Sequence, residues 1–133
     1  MTIERFNGEY QFLSNFYPAA VRHGQMVYKT VEHAYQAAKL INLQDMVTIR
    51  DCFTPSEAKR LGNRFPIRPD WEKIKIDVMT ELVRKKFTNH KPLRKLLLDT
   101  GSHVLIEGNY WHDYFWGMCN AKGENNLGKI LMQ

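Results

Sequence analysis

Three side chains near residue 35 are of the types used in acid–base and nucleophilic chemistry. Glu32, Gln36 and Lys39 stand in the stretch KTVEHAYQAAK, residues 29–39, at intervals of four and three. On a helix those intervals put side chains on one face. A carboxylate there can move protons, and a lysine that has lost its proton can attack an electrophilic carbon. The same spacing also describes a solvated stripe of surface decoration, so spacing alone leaves both readings open. His33 lies in the same stretch, where a helix histidine is usually a surface or hydrogen-bonded group. A second cluster is NYWHDYFWG, residues 109–117, which gathers five aromatics around Asp113, with Trp111 and Trp116 flanking it. Rings in a loop can stack a base, each contact contributing about 1–3 kcal/mol. A carboxylate beside them can steady a cation developing on a sugar carbon. The alternative is that these rings form a satellite core over a small sheet.

The elements that must position these groups follow from periodicity and capping. TIERF at the start alternates as a short strand. VRHGQMVYKT predicts a hairpin turning at residues 23–25. Thr30 is a natural N-cap for a helix from Val31 to about Asn42, whose core face would be Val31, Ala34, Tyr35, Ala38 and Ile41. A short helix is expected over residues 45–52. TPSE at 54–57 marks the next start: Thr54 caps, Pro55 takes the first helical position and Glu57 closes a capping box. Gly62 ends that helix. A longer helix follows Asp70, with Trp71, Ile74, Val78, Leu82 and Val83 on one face. Another opens at Lys91-Pro92 and ends at Gly101. HVLIEG reads as a strand, residues 109–126 as irregular, and LGKILM as a closing helix. The fold class expected is α+β, a predominantly helical single domain over residues 1–133 with a small β-sheet built from sequence-distant strands. Without βαβ alternation or a dinucleotide glycine pattern, a Rossmann fold is excluded.

Composition limits the partners. Hydrophobic residues are 44% and charged residues 25% of 133, which is ordinary for a globular chain that can bury a core without staples. The net charge of +5 favours an anionic partner, such as nucleic acid, a nucleotide or a phosphorylated metabolite, or is simply a basic solvated surface. Cys52 and Cys119 form no CxxC pair, so a reduced cytoplasmic protein is expected. The N-terminus lacks the apolar run of a signal peptide, and no segment approaches a membrane span of ~20 apolar residues. His33, His103, His112 and Cys119 lack zinc spacing, so no metal is expected.

Four ordered stretches resemble one family over nearly the whole chain: FLSNFYP at 12–18, YKTVEHAYQAAK at 28–39, AKRLGNRFPIRPDWEKIKIDVM at 58–79, and HDYFWG followed by KGENNLGKILM. They are similar to the NADAR superfamily, also called the YbiA-like N-glycosidases. The resemblance implies a mostly helical α+β fold and cleavage of a bond between ribose and a nitrogen, without a cofactor. Activities in the family include removal of ADP-ribose from modified guanine and hydrolysis of phosphorylated ribosylamine intermediates of riboflavin synthesis. The family's acidic, lysine and tryptophan positions carry over to Glu32, Lys39, Asp113 and Trp116.

Breaking the C–N bond builds positive charge on C1 and the ring oxygen, which carboxylates can stabilise. Either Glu32 or Asp113 orients a water, or Lys39 attacks C1 and passes through a Schiff base with Glu32 moving protons. The second route is favoured, because it explains why a lysine shares a face with the glutamate. Asn15 and Gln36 are expected to bind ribose hydroxyls or phosphate, Trp116 to wall the leaving base, and Arg64 to grip phosphate. Ser14, Phe16, Gly117 and Asn125, within the matching stretches, and Trp111, just before HDYFWG, complete the expected substrate-binding set. The substrate expected first is ADP-ribosylated guanine, free or in nucleic acid. A riboflavin intermediate comes second, and a non-catalytic module that binds ADP-ribose or nucleic acid is the rival of another class. These expectations require the early helix and the late aromatic loop to converge on one cleft.

Overall fold

In the computed structural model, which describes residues 1–133, both ends of the chain build one compact unit, Met1–Ser14 with Lys91–Gln133, and Asn15–His90 build another. The class is α+β: six α-helices, one 3-10 helix and short strand pairs.

The unit of residues 15–90 is arranged about α1 (Val31–Ala38). Thr30 caps it as expected, its hydroxyl accepting from the His33 N–H. The hairpin is present as β2 (Val21–His23) and β3 (Met26–Tyr28). The helices α2 (Leu43–Arg50), α3 (Pro55–Gly62) and α4 (Trp71–Asn89) pack around α1 together with the hairpin. Thr54 caps α3 by accepting from the Glu57 N–H at 3.1 Å, with Pro55 at its start.

Two boundaries differ from expectation. The helix α1 ends at Ala38, not near Asn42, because Leu40 leaves it to bridge antiparallel to Ile67. Ile41 therefore loses its place on the core face and is exposed. Asn42, expected to close that helix, instead caps α2 by accepting from the Gln44 N–H, which moves α2 two residues earlier than residues 45–52.

In the other unit, the opening stretch contributes only β1 (Thr2–Ile3), and GEYQFL forms the 3-10 helix Gly8–Leu13. After α5 (Lys91–Leu98) and a left-handed Gly101, β4 (Val104–Leu105) pairs parallel with β1. Then β5 (Gly108–Asn109) pairs parallel with β6 (Met118–Cys119), and α6 (Asn126–Leu131) packs on β4. The single small sheet that was expected is replaced by three separate two-stranded pairs. Each strand is only two or three residues long, at or below the short end of the usual range. No helix is long and apolar enough to cross a membrane.

Candidate functional site

Every residue from Val31 to Leu40 is buried. A helix enclosed on all sides is normally apolar all round, yet α1 carries Glu32 and Gln36 and is capped by Lys39, at 7%, 3% and 5% exposure. The solvated-stripe reading is thereby excluded. Burying ionisable groups is costly unless each is paired or functional, so the partners of these three decide what they can do.

Gln36 Nε2 donates to Glu32 Oε2 at 2.6 Å, a short charge-assisted bond. The Gln36 amide lies against Gly62, the last residue of α3, where any Cβ would run into the Gln36 side chain. Gly62 is thus more than a helix stop: its missing side chain gives Gln36 the room to reach Glu32. Gln36 Oε1 is buried without a hydrogen-bond partner, an acceptor that a donor entering the site would satisfy. Lys39 Nζ donates to Asn63 Oδ1 at 2.9 Å. Burial pulls the Lys39 ammonium below its ordinary value; the Glu32 charge opposes this and Lys59 reinforces it. A buried amine with depressed basicity, held by a neutral acceptor near a buried carboxylate, is suited to nucleophilic attack.

Other expected residues have these placements. Asn15 is buried; its carbonyl accepts from the Glu32 N–H at 3.1 Å and its Nδ2 donates to Met79 Sδ at 3.5 Å. It therefore secures the start of α1. Phe16 is at the surface, and Arg64 is exposed just after α3. Ser14 closes the 3-10 helix through its N–H to Gln11.

In the unit formed by the chain ends, the aromatic loop is open rather than a satellite core: Tyr110, Trp111 and Tyr114 are exposed. Phe115 and Trp116 are half-buried and edge-to-face at 4.7 Å. Asp113 Oδ1 accepts from the N–H groups of Phe115 at 3.1 Å and Trp116 at 2.9 Å, which folds the loop around its carboxylate. Buried Asn109 ties the loop down, accepting from the Asp113 N–H and donating to the Asp113 carbonyl and to Glu107 Oε2. Gly117 passes so close to Glu107 that no side chain fits there. Asn125, left-handed and buried, uses both ends of its amide on backbone: Oδ1 accepts from the Glu107 N–H and Nδ2 donates to the Leu105 carbonyl. Its geometry is that of a brace for the loop.

His33 also has a defined structural role. Its Nε2 donates to the Cys52 carbonyl at 3.0 Å, so Nδ1 accepts from the Thr30 hydroxyl at 2.8 Å. Lys29 donates to the same carbonyl at 2.7 Å, and together these bonds pin the end of α2 to the start of α1. The Cys52 thiol is pushed up to about 11, chiefly by burial, which leaves it unreactive. Burial likewise lowers His33 below 6.5. The folded state therefore binds fewer protons than the unfolded state between the depressed value and 6.5, and stability falls as pH drops through that window. Urea unfolding at pH 7.5 and 5.5 is expected to give the lower midpoint at pH 5.5, with the difference reduced in His33→Gln. An unchanged difference would assign the loss to other groups such as His23, which burial also lowers.

Five residues here escape sequence reasoning. Gly62 reads only as a helix stop and Asn63 carries no signal, with no sign of what either touches. Glu107 and Asn109 fell in a stretch read as strand and loop. Lys86, on α4, is 1% exposed, with Nζ 5.7 Å from the Tyr17 ring centre and 5.0 Å from that of Phe87, and burial lowers it to about 7. A signal existed for this one, since position 86 follows Leu82 by four and Val83 by three and so falls on the predicted core face.

The NADAR domain family matches residues 4–133. The chain belongs to the NADAR family. An N-glycosidase of Nostoc punctiforme is 40% identical over 129 residues, covering 92% of this chain and 82% of its own. The NMR structure of Escherichia coli YbiA superposes with a TM-score of 0.87 at 33% identity, covering 99% of this chain and 80% of that one. The NADAR chain is also 38% identical to the maize chloroplastic riboflavin biosynthesis protein PYRR over 138 residues, 90% of this chain but only 22% of the maize protein.

Proposed function

We propose that this NADAR protein is an N-glycosidase that hydrolyses a ribose–nitrogen bond, and that its substrate is ADP-ribosylated guanine, free or within nucleic acid. The observation that carries the reading is the buried Glu32–Gln36–Lys39 face of α1, in which the lysine amine is desolvated and neutrally anchored. A pure anion-binding module gains nothing from burying a glutamate and depressing a lysine, which weighs against that alternative. The relatives named N-glycosidase support the reaction class. The net charge of +5 suits a pyrophosphate or nucleic-acid substrate.

In the proposed mechanism, the C1–N bond breaks as the departing nitrogen takes a proton, and the Lys39 amine bonds to C1. Loss of an amine proton and cleavage of the C1–ring oxygen bond give a protonated imine and a ribose hydroxyl. Water then adds to C1, and its collapse expels the amine and leaves the free sugar. Glu32 carries the protons at each step. Asp113, held in its loop, is of the type that steadies positive charge on a sugar, and Trp111 and Trp116 are of the type that stacks a base. Asn15, Gln36 and Arg64 are assigned to ribose hydroxyls and phosphate and Phe16 to the wall beside them, while Gly117 and Asn125 shape the loop that carries Asp113 and Ser14 closes the 3-10 helix.

The name of the maize relative favours a second substrate, a phosphorylated ribosylaminopyrimidine intermediate of riboflavin synthesis. Incubating the purified protein with ADP-ribosylated guanine nucleotide and with that intermediate, side by side, distinguishes them. Free ADP-ribose from the first, with at least tenfold slower turnover of the second, is the expected result. The reverse ratio overturns the substrate assignment, and binding without turnover of either overturns the enzyme. Borohydride added during turnover is expected to trap a covalent adduct on Lys39. Robust turnover with no adduct there removes the imine route and leaves direct attack by water.

A further inference from the structure

A nucleophilic lysine near a carboxylate has a difficulty of its own. The negative field of Glu32 favours the charged ammonium, which cannot attack. Whatever else touches Nζ must hold it without adding more negative charge. The group that does so is Asn63, the C-cap residue of α3, whose Oδ1 is 2.9 Å from Nζ.

We propose that Asn63 is a positioning residue for the Lys39 amine, fixing Nζ through a neutral carbonyl oxygen at a place where a carboxylate would lock the lysine as an ion pair. The inference rests on the nucleophilic role given to Lys39 above. The preceding residue shows that this corner is built for the purpose: Gly62 makes room for the Gln36 amide that engages Glu32, so consecutive residues at the end of α3 set both members of the pair. Their placement is rigid. The Asn63 N–H donates to the Lys59 carbonyl, and the Arg64 N–H closes the turn on Leu61 at 2.9 Å.

Of the charges around the amine, Glu32 comes from its own helix and Lys59 from α3. Arg68, ahead of α4, reaches this turn with its backbone N–H, which donates to the Lys39 carbonyl, while its guanidinium is taken by Asp70. From α2, Arg50 is paired with Asp51, and Asp45 is the remaining charged side chain. The hairpin presents Arg22 and His23, and Lys29 follows it, engaged by Cys52.

The test compares Asn63→Asp with Asn63→Ala, exchanging the side chain of an exposed residue. Placing a carboxylate within ~4–6 Å of an amine raises its pKa by about one unit or more. In Asn63→Asp the acid limb of kcat against pH should therefore move up by about one unit, with a roughly tenfold loss below the limb and recovery above it. In Asn63→Ala the limb should stay or move down, while kcat falls about tenfold at every pH because the amine is no longer held. A merely structural change would lower both profiles without moving either limb. The Lys39 13Cε shift, titrated by NMR and assigned with a Lys39 variant, reads the amine without turnover. If neither the titration nor the limb moves in Asn63→Asp, the positioning role is overturned. If the NMR titration moves and the kcat limb does not, Asn63 holds the amine as proposed, and the nucleophilic role of Lys39 is what fails.

Discussion

Replacing Lys39 by methionine is expected to reduce kcat by about a thousandfold or more while leaving the fold intact. Methionine approximates the length of the lysine stem and fills the same enclosed volume, so no cavity opens. The group that remains, Asn63 Oδ1, belongs to an exposed residue that water can reach. Thermal stability is expected to change little: an apolar group in place of a desolvated amine stabilises, while buried Glu32 loses a neighbouring positive charge and keeps only its bond from Gln36, which destabilises. Activity disappears because the nucleophile has gone, and residues that act as one catalytic unit fail together. Lys39→Arg should not restore it: a guanidinium keeps the charge but stays protonated at working pH. The check is single-turnover cleavage of ADP-ribosylated guanine nucleotide, with unfolding midpoints measured in parallel. A methionine variant that retains more than a tenth of wild-type kcat would remove Lys39 from the chemistry. For the wild type, the dependence on a neutral amine makes kcat rise with pH through the depressed lysine value, below the ordinary 10.5.

The second large effect is expected from Glu32→Gln. The variant keeps the size of the side chain and its contact with Gln36 but cannot carry a proton. Loss of a positioned acid–base group typically lowers kcat by about a hundredfold to ten-thousandfold. A second consequence separates this from simple damage. Glu32 raises the Lys39 value against the lowering by burial and Lys59, so removing its charge should move the acid limb to lower pH. That shift is opposite in sign to the one expected from Asn63→Asp. With the amine more readily neutral and proton transfer slowed, borohydride should trap more of the Lys39 adduct in this variant than in wild type. A profile of normal height, or a limb that moves up, would mean that Glu32 serves only to hold the buried helix together.

Several of the decisive features were already legible in the chain. The N-cap at Thr30, the Thr54-Pro55 start and the hairpin about Gly24 depend on groups within four residues of one another, and they formed as local rules require. The candidate pair was legible too: Glu32 and Lys39 on one face need only helical spacing to be recognised. What spacing could not decide was whether that face met water. The answer came from α2, α3, α4 and the hairpin closing around α1, a matter of which distant segments pack together. The same limit explains the errors. Leu40 left its helix because Ile67, twenty-seven positions on, offered a backbone bridge, and no local signal announces such a partner. Asn63 and Gly62 were ordinary helix-ending residues until the fold brought their helix to Gln36 and Lys39. The sequence by itself thus determined which residues could perform the chemistry and which helix carries two of them. The tertiary structure alone decided that they are desolvated and what they touch, because burial and charge environment are sums over neighbours that the chain order does not encode.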